Sequence, residues 1–172
     1  VGNGMGAKNG IMFKTAQSLE LAGKIQIAAL DKTGTITSGE PKVTDISPAP
    51  GCKEEELLRL AYALEQKSEH PLARAILEWA RQKGIQEDAV EEFQAVPGNG
   101  LTGIRKNDAV AGGNLAFIRQ KASISEETAS LAEKLAGEGK TPLFFSRAGI
   151  FQGIIAVADV IKEDSAEAVR EL

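Results

Sequence analysis

Residues able to do chemistry concentrate at Asp31-Lys32-Thr33-Gly34-Thr35, which follows the apolar Ala28-Ala29-Leu30 and runs on into Ile36-Thr37. An acid at the mouth of an apolar run, followed by a cation and hydroxyls around a glycine, fits a carboxylate nucleophile in an anion-binding loop. A carboxylate can attack phosphorus to give an acyl phosphate, while an ammonium and backbone N–H groups hold the phosphoryl oxygens. The same residues also make an ordinary solvated turn capped by Asp and Thr. Local chemistry leaves both readings open.

Other phosphate-loop patterns fail on context. Gly98-Asn99-Gly100-Leu101-Thr102-Gly103 matches a dinucleotide fingerprint, and Gly2-Asn3-Gly4-Met5-Gly6-Ala7 matches its alanine variant. That fingerprint needs a strand before it and a helix after it. Pro97 precedes the first and a β-prone run follows it, while only Val1 precedes the second. Gly139-Lys140-Thr141 would need glycine where Lys134 stands to be a nucleotide-triphosphate loop. With one histidine, His70, and one cysteine, Cys52, a zinc site is not supported. Trp79 reads as helix packing.

The elements that must position Asp31 follow from periodicity. Lys24 to Leu30 is a short apolar, β-prone run ending in a polar loop, the pattern of a buried parallel strand with Asp31 at its carboxyl end, where open α/β sheets place ligands. The Gly/Pro/Ser-rich 38–51 then reads as a connection or boundary. Leu57, Ala61 and Leu64 recur at helical spacing behind acidic Glu54-Glu55-Glu56, predicting a helix over 53–67. Pro71 opens a second helix with Leu72, Ile76, Trp79 and Ala80 on its buried face and Gly84 as its stop. Three β-prone runs between Glu91 and Asn114, divided by glycines and an Asn107-Asp108 turn, predict an antiparallel meander. A helix over 125–136 follows, with Ser123 and Glu126 at capping-box spacing. Two strands around a 147–149 turn come next, then a polar helix start from Lys162.

Bulk properties agree with a folded chain. At 172 residues and 42% hydrophobic there is material for one domain or two small ones. Twenty basic against twenty-four acidic residues, with no basic cluster, give no nucleic-acid footprint. The longest apolar run, around Ile154 to Ala158, is far short of the roughly 20 residues of a spanning helix, and no signal-peptide pattern opens the chain. One cysteine excludes an intrachain disulfide and fits a reducing compartment.

The string Asp31-Lys32-Thr33-Gly34-Thr35-Ile36-Thr37 resembles the phosphorylation motif of P-type ATPases, a branch of the haloacid-dehalogenase-like phosphotransferases. Ser68-Glu69-His70-Pro71-Leu72 is similar to the Ser-x-His-Pro-Leu signature of the heavy-metal-transporting subgroup, which puts Glu69 and His70 at the adenine end of a nucleotide pocket. Gly98 and Gly100 resemble that pocket's glycine pair, and Gly113 and Asn114 its Gly-Asn pair. The stretch 158–169 looks like the returning hinge, with Asp159 at its acidic position, and 9–23 like the segment leading from the membrane helices. The resemblance covers nearly the whole chain.

It implies an α/β and α+β fold. A haloacid-dehalogenase-like phosphorylation domain, 1–42 and 157–172, carries an inserted nucleotide-binding domain of antiparallel sheet plus helices, 43–156. It implies that ATP, held by Glu69, His70, Gly98, Gly100, Gly113, Asn114 and Asp159, phosphorylates Asp31. Lys32, Thr33 and Thr35 would line the phosphoryl site, and Mg2+ would be held by the Asp31 carboxylate and the Thr33 carbonyl. Partners would be the pump's membrane and actuator domains and the rest of the phosphorylation domain, at the cytoplasmic face of a membrane. The family's Gly-Asp-Gly-x-Asn-Asp and Thr-Gly-Asp loops, its Cys-Pro-x motif and its Thr-Gly-Glu do not occur in the sequence. The expectation is therefore a soluble fragment of a larger pump that binds ATP with little turnover. Copper is the expected ion, ahead of zinc, cadmium, cobalt and silver. Two alternatives are a non-catalytic nucleotide-binding module and a phosphatase of the same superfamily. Such phosphatases carry a second acid two residues beyond the nucleophile, where this chain has Thr33.

Overall fold

The computed structural model describes residues 2–86 and 89–171. Two short helices come first, α1 (Gly2–Lys8) and α2 (Ala16–Ala22), the latter capped by Thr15, whose Oγ1 accepts from Ser18 N at 3.0 Å. After the loop around Gly34 the chain forms β1 (Thr37–Pro48), α3 (Glu54–Glu65), α4 (Pro71–Gln82), β2 (Glu91–Val96), β3 (Gly100–Arg105), β4 (Asp108–Gly113), α5 (Leu115–Arg119), α6 (Glu126–Gly137), β5 (Thr141–Arg147), β6 (Ile150–Ile161) and α7 (Ser165–Glu171). The strands make one six-stranded sheet, ordered β1-β6-β5-β4-β3-β2, with every neighbouring pair antiparallel.

Strand side chains alternate between faces, and here the alternation sorts them into two cores. Val110, Phe145, Ile155 and Val157 pack with Leu57, Leu60, Leu64 and Ile76 of α3 and α4. Their chain neighbours Ala111, Phe144, Ile154 and Ala156 pack with Phe117, Ile118, Ala132 and Leu135 of α5 and α6. An ionic clasp reinforces the first face: Glu56, in the first turn of α3, accepts from Arg105 Nη1 at 2.9 Å and Arg147 Nη1 at 3.1 Å, and Arg147 Nε reaches Asp108 Oδ2 at 2.7 Å. Arg105 is buried.

The predicted helices of 53–67 and 71–83 form as α3 and α4, and the meander as β2 to β4. Small shifts have local causes. The turn between β3 and β4 is Lys106-Asn107, both at positive φ (53° and 67°), the geometry of a two-residue hairpin loop; Asp108 already pairs with Arg105. Ser125 rather than Ser123 caps α6, its Oγ accepting from Thr128 N at 3.2 Å.

Two expectations are corrected. Residues 38–51, read as a connection, mostly belong to the 12-residue strand β1. Prolines 41 and 48 hid it, yet proline is tolerated at a sheet edge, where an N–H is not needed on the outer side. Conversely, Lys24 to Leu30 is not a buried parallel strand: it carries no strand pairing, and Ile25 (64%), Ile27 (88%) and Leu30 (47%) are exposed. A parallel strand needs neighbours running its way, and among the described residues the only sheet is antiparallel throughout. No helix among them is long and apolar enough to cross a membrane.

Candidate functional site

A cleft of about 770 Å³ opens where the α3–α4 loop, the β2–β3 turn and the end of β4 meet. The loop is built by short-range bonds. Ser68 N donates to Glu65 O at 3.0 Å, and His70 N donates to Ser68 Oγ at 3.3 Å. His70 itself caps α4: its Nδ1 accepts from Leu72 N at 3.2 Å, and Pro71 occupies the first helical position, where no N–H is needed. Because Nδ1 accepts, the neutral ring carries its proton on Nε2 and offers a donor there.

Glu65, unflagged in the sequence, lines the same cleft and is buried. Burial pushes its carboxyl up to about 7, although a hydrogen bond with Ser68 pulls the other way. Its sequence signal was misleading, because an acid in the last turn of an amphipathic helix usually faces water. Lys67, also on the cleft, donates to Val90 O at 2.9 Å with its ammonium 6.0 Å from the Phe93 ring centre. Trp79 packs against the core of α3 and α4, as expected.

The glycines serve two different needs. Val96-Pro97-Gly98-Asn99 is a turn closed by Asn99 N donating to Val96 O at 3.0 Å, and Gly98 at φ +73° follows Pro97 as a type II turn requires. Gly100 and Gly113 are directly opposite across β3 and β4. A Cβ on Gly100 would stand 2.2 Å from Gly112 O and 2.8 Å from Gly113 Cα, so no side chain fits. Asn114 caps α5, its Oδ1 accepting from Phe117 N at 2.9 Å.

Six sequence-predicted residues, Glu69, His70, Gly98, Gly100, Gly113 and Asn114, thus line one cleft although up to 45 positions separate them. Asp159 does not join them. It sits on β6, where Oδ2 meets the Thr37 hydroxyl and Oδ1 accepts from Gly39 N at 2.9 Å. Asp31, Lys32, Thr33 and Thr35 lie on the exposed loop before β1. Its turn is made by Gly34 at φ +78°, with Thr37 Oγ1 lying 3.0 Å from Lys32 O and accepting from Gly34 N at 3.3 Å. Lys162 Nζ donates to Gly34 O at 3.0 Å and Ser165 Oγ to Ile36 O at 2.8 Å, so the returning chain braces the loop. Thr37, Lys162 and Ser165 were given no role from the sequence. Only the last threonine of the motif string hinted at one.

A family model described as haloacid dehalogenase-like hydrolase matches residues 25–172. The chain belongs to that family. Among curated proteins, this haloacid dehalogenase-like chain is 40% identical over its whole length to a copper-exporting P-type ATPase of Vibrio cholerae, and 42% identical to a probable copper-exporting P-type ATPase of Archaeoglobus fulgidus. It spans 19% and 21% of those relatives, about a fifth of their length. Among solved structures, a zinc-transporting PIB-type ATPase in its E2.Pi state matches 99% of the chain with a TM-score of 0.88 at 34% identity, the match covering 27% of that protein. The isolated N-domain of HMA6, a copper-transporting P-type ATPase, matches 69% of the chain with a TM-score of 0.57 at 27% identity and is itself 98% covered. The fold is therefore a haloacid-dehalogenase-like unit with an antiparallel-sheet N-domain, as expected.

Proposed function

We propose that this chain is the ATP-binding and phosphorylation region, at the cytoplasmic face of a membrane, of an integral-membrane heavy-metal-transporting P-type ATPase with Cu(+) as the transported ion. The observation that carries the reading is the convergence of Glu69, His70, Gly98, Gly100, Gly113 and Asn114 on one cleft. Adenine would suit two of the groups that line the cleft. The amino group of the base presents an N–H to a Glu65 carboxyl oxygen, and the ring nitrogens present acceptors to His70 Nε2–H; guanine offers the opposite pattern at the corresponding positions. Copper is favoured over zinc by the relatives at 40% and 42% identity.

The reaction assigned to the loop is phosphoryl transfer. An Asp31 carboxylate oxygen attacks the γ-phosphorus of ATP, the bond from that phosphorus to the β–γ bridging oxygen breaks, and ADP departs, leaving an aspartyl phosphate. Lys32 and the Thr35 hydroxyl hold the phosphoryl oxygens. The donor set suits Mg2+ better than a transition metal. No cluster of three or more His, Cys, Asp or Glu is present among the described residues, while Mg2+ is bound by one or two carboxylates together with substrate phosphates and water. The Asp31 carboxylate and Thr33 carbonyl would hold it, and when bound it neutralises charge on the transferring phosphate. A neutral Thr33 where phosphatases carry a second acid favours a stable phosphoenzyme over hydrolysis.

The unit boundaries assigned above, before residue 43 and after residue 156, fall on β1 and β6, where Val43 and Val157 are cross-strand partners. The hinge between nucleotide-binding insert and phosphorylation unit is then a two-stranded ribbon, and Asp159 belongs to that hinge.

Incubation with γ-labelled ATP and Mg2+ tests the reading. A hydroxylamine-sensitive label that vanishes in Asp31→Asn supports the transferase. ATP binding in calorimetry without label leaves a nucleotide-binding module. Rapid steady-state release of phosphate contradicts the expected low turnover.

A further inference from the structure

Asn114 is well placed on the cleft, but its side chain is already engaged on both sides. Oδ1 caps α5 through Phe117 N at 2.9 Å, and Nδ2 donates to Gly98 O at 3.0 Å. Its backbone N–H donates to Asn99 O at 2.9 Å. The last two carbonyls of the Pro97-Gly98-Asn99 turn are therefore both held by this one residue, 16 positions after Gly98. Behind it, the Gly100–Gly113 pair brings β3 and β4 together without side chains, and the Phe117 ring lies 2.8 Å and 3.0 Å from where their Cβ atoms would be. The β2–β3 turn and the start of α5 are thus one welded piece.

We infer that Asn114 is a positioning residue: it fixes the Pro97-Gly98-Asn99 turn as a wall of the nucleotide cleft and contributes to binding through that turn, not by touching the nucleotide. The inference rests on the proposed nucleotide reading for what occupies the cleft. It divides the Gly-Asn pair by physical role, with Gly113 clearing space for Gly100 and Asn114 holding Gly98.

Two variants separate the clasp from the cap. Ser and Asp cap helices about as well as Asn, so Asn114→Ser and Asn114→Asp preserve the start of α5. Serine is too short to reach Gly98 O, and aspartate sets an oxygen against it. Both variants are to be compared with the whole chain by nitrogen-labelled NMR without nucleotide and by calorimetry with ATP, ADP, AMP and 2′-deoxy-ATP. The expected result is displaced Gly98 and Asn99 amide signals in nucleotide-free protein, with affinity lowered about 3- to 10-fold, the scale of one lost hydrogen bond, by the same factor for every ligand. A ligand for which the variant's loss disappears would identify a direct contact and overturn the inference. Unmoved Gly98 and Asn99 signals would overturn the clasp itself, and moved signals with unchanged affinity would overturn its part in binding. Failure of the unaltered chain to bind any of the four would overturn the nucleotide reading, and with it the binding role of Asn114, while the nucleotide-free spectra still judge the clasp.

Discussion

The cleft and the Asp31 loop carry equally sharp motifs but are built differently. Each cleft wall has structure behind it: α3 and α4 rest on one core, the β2–β3 turn is tied to the start of α5, and β3 and β4 meet through glycines that leave no slack. Among the described residues the loop is braced from the C-terminal side, by Thr37, Asp159, Lys162 and Ser165, while the Lys24–Leu30 segment leading into it has no strand partner and is exposed. A binding surface can be complete within one sheet and its helices. A phosphoryl-transfer centre needs its acid fixed from both directions, because small misplacements cost large factors in rate. This weaker bracing adds to the missing family loops as a reason to expect ATP binding with little turnover.

Breaking the two regions apart should give effects of very different size. The largest is all-or-none: Asp31→Asn abolishes any hydroxylamine-sensitive label from γ-labelled ATP, while calorimetric ATP affinity measured without Mg2+ falls by no more than about twofold, since the cleft residues rather than the attacking carboxylate hold the adenine end. If affinity fell in parallel with labelling, the two regions would be one site.

Next come the glycines. Gly100→Val drives a side chain into Gly112 O and Gly113 Cα and is expected to cost about 3 kcal/mol in urea unfolding, at the upper end for overpacking. Gly34 has nothing within 4 Å of its would-be Cβ, and only its φ of +78° opposes a side chain. Gly34→Ala should cost about 1 kcal/mol, locally.

The Glu65 carboxyl sharpens the contrast through pH. Its folded value of about 7 stands above its ordinary 4.5, so the folded state holds more protons between those values and stability falls as pH rises through that window. The loss levels off above pH 7 at about 3 kcal/mol or less. Urea unfolding at pH 5 and pH 8 should show this drop, and Glu65→Gln should abolish it. The smallest effect belongs to His70. His70→Ala removes the α4 cap and should cost about 1 kcal/mol, which His70→Asn should largely restore. Because Asn restores the cap without the Nε2 donor, an ATP affinity that recovered along with stability would remove the imidazole from base recognition.

How far the sequence could be read depended on whether each signal was local. Helices α3 and α4 followed from their apolar spacing and their starts, the meander from its turns, and the cleft glycines from their motif. Strand β1 was obscured because prolines 41 and 48 speak against a strand, and only its edge position makes them tolerable. Lys24 to Leu30 went wrong the other way: the pattern of a buried strand was real, but burial is a property of partners, and among the described residues none pairs with it. Glu65 and Thr37 were passed over because an acid on a helix and a hydroxyl in a loop look solvated until the fold closes around them. Asp159, grouped with the nucleotide residues by its motif, stands instead beside Thr37, a neighbour 122 residues distant that no local pattern names.

The central claim is that motifs scattered over the chain form one adenine-nucleotide cleft. Titration of the nitrogen-labelled chain with ATP tests it most directly: amide shifts should be largest within 65–72, 96–101 and 112–114 and small over the exposed 24–30 segment. Shifts confined to the Asp31 loop, or absent at millimolar ATP, would contradict it.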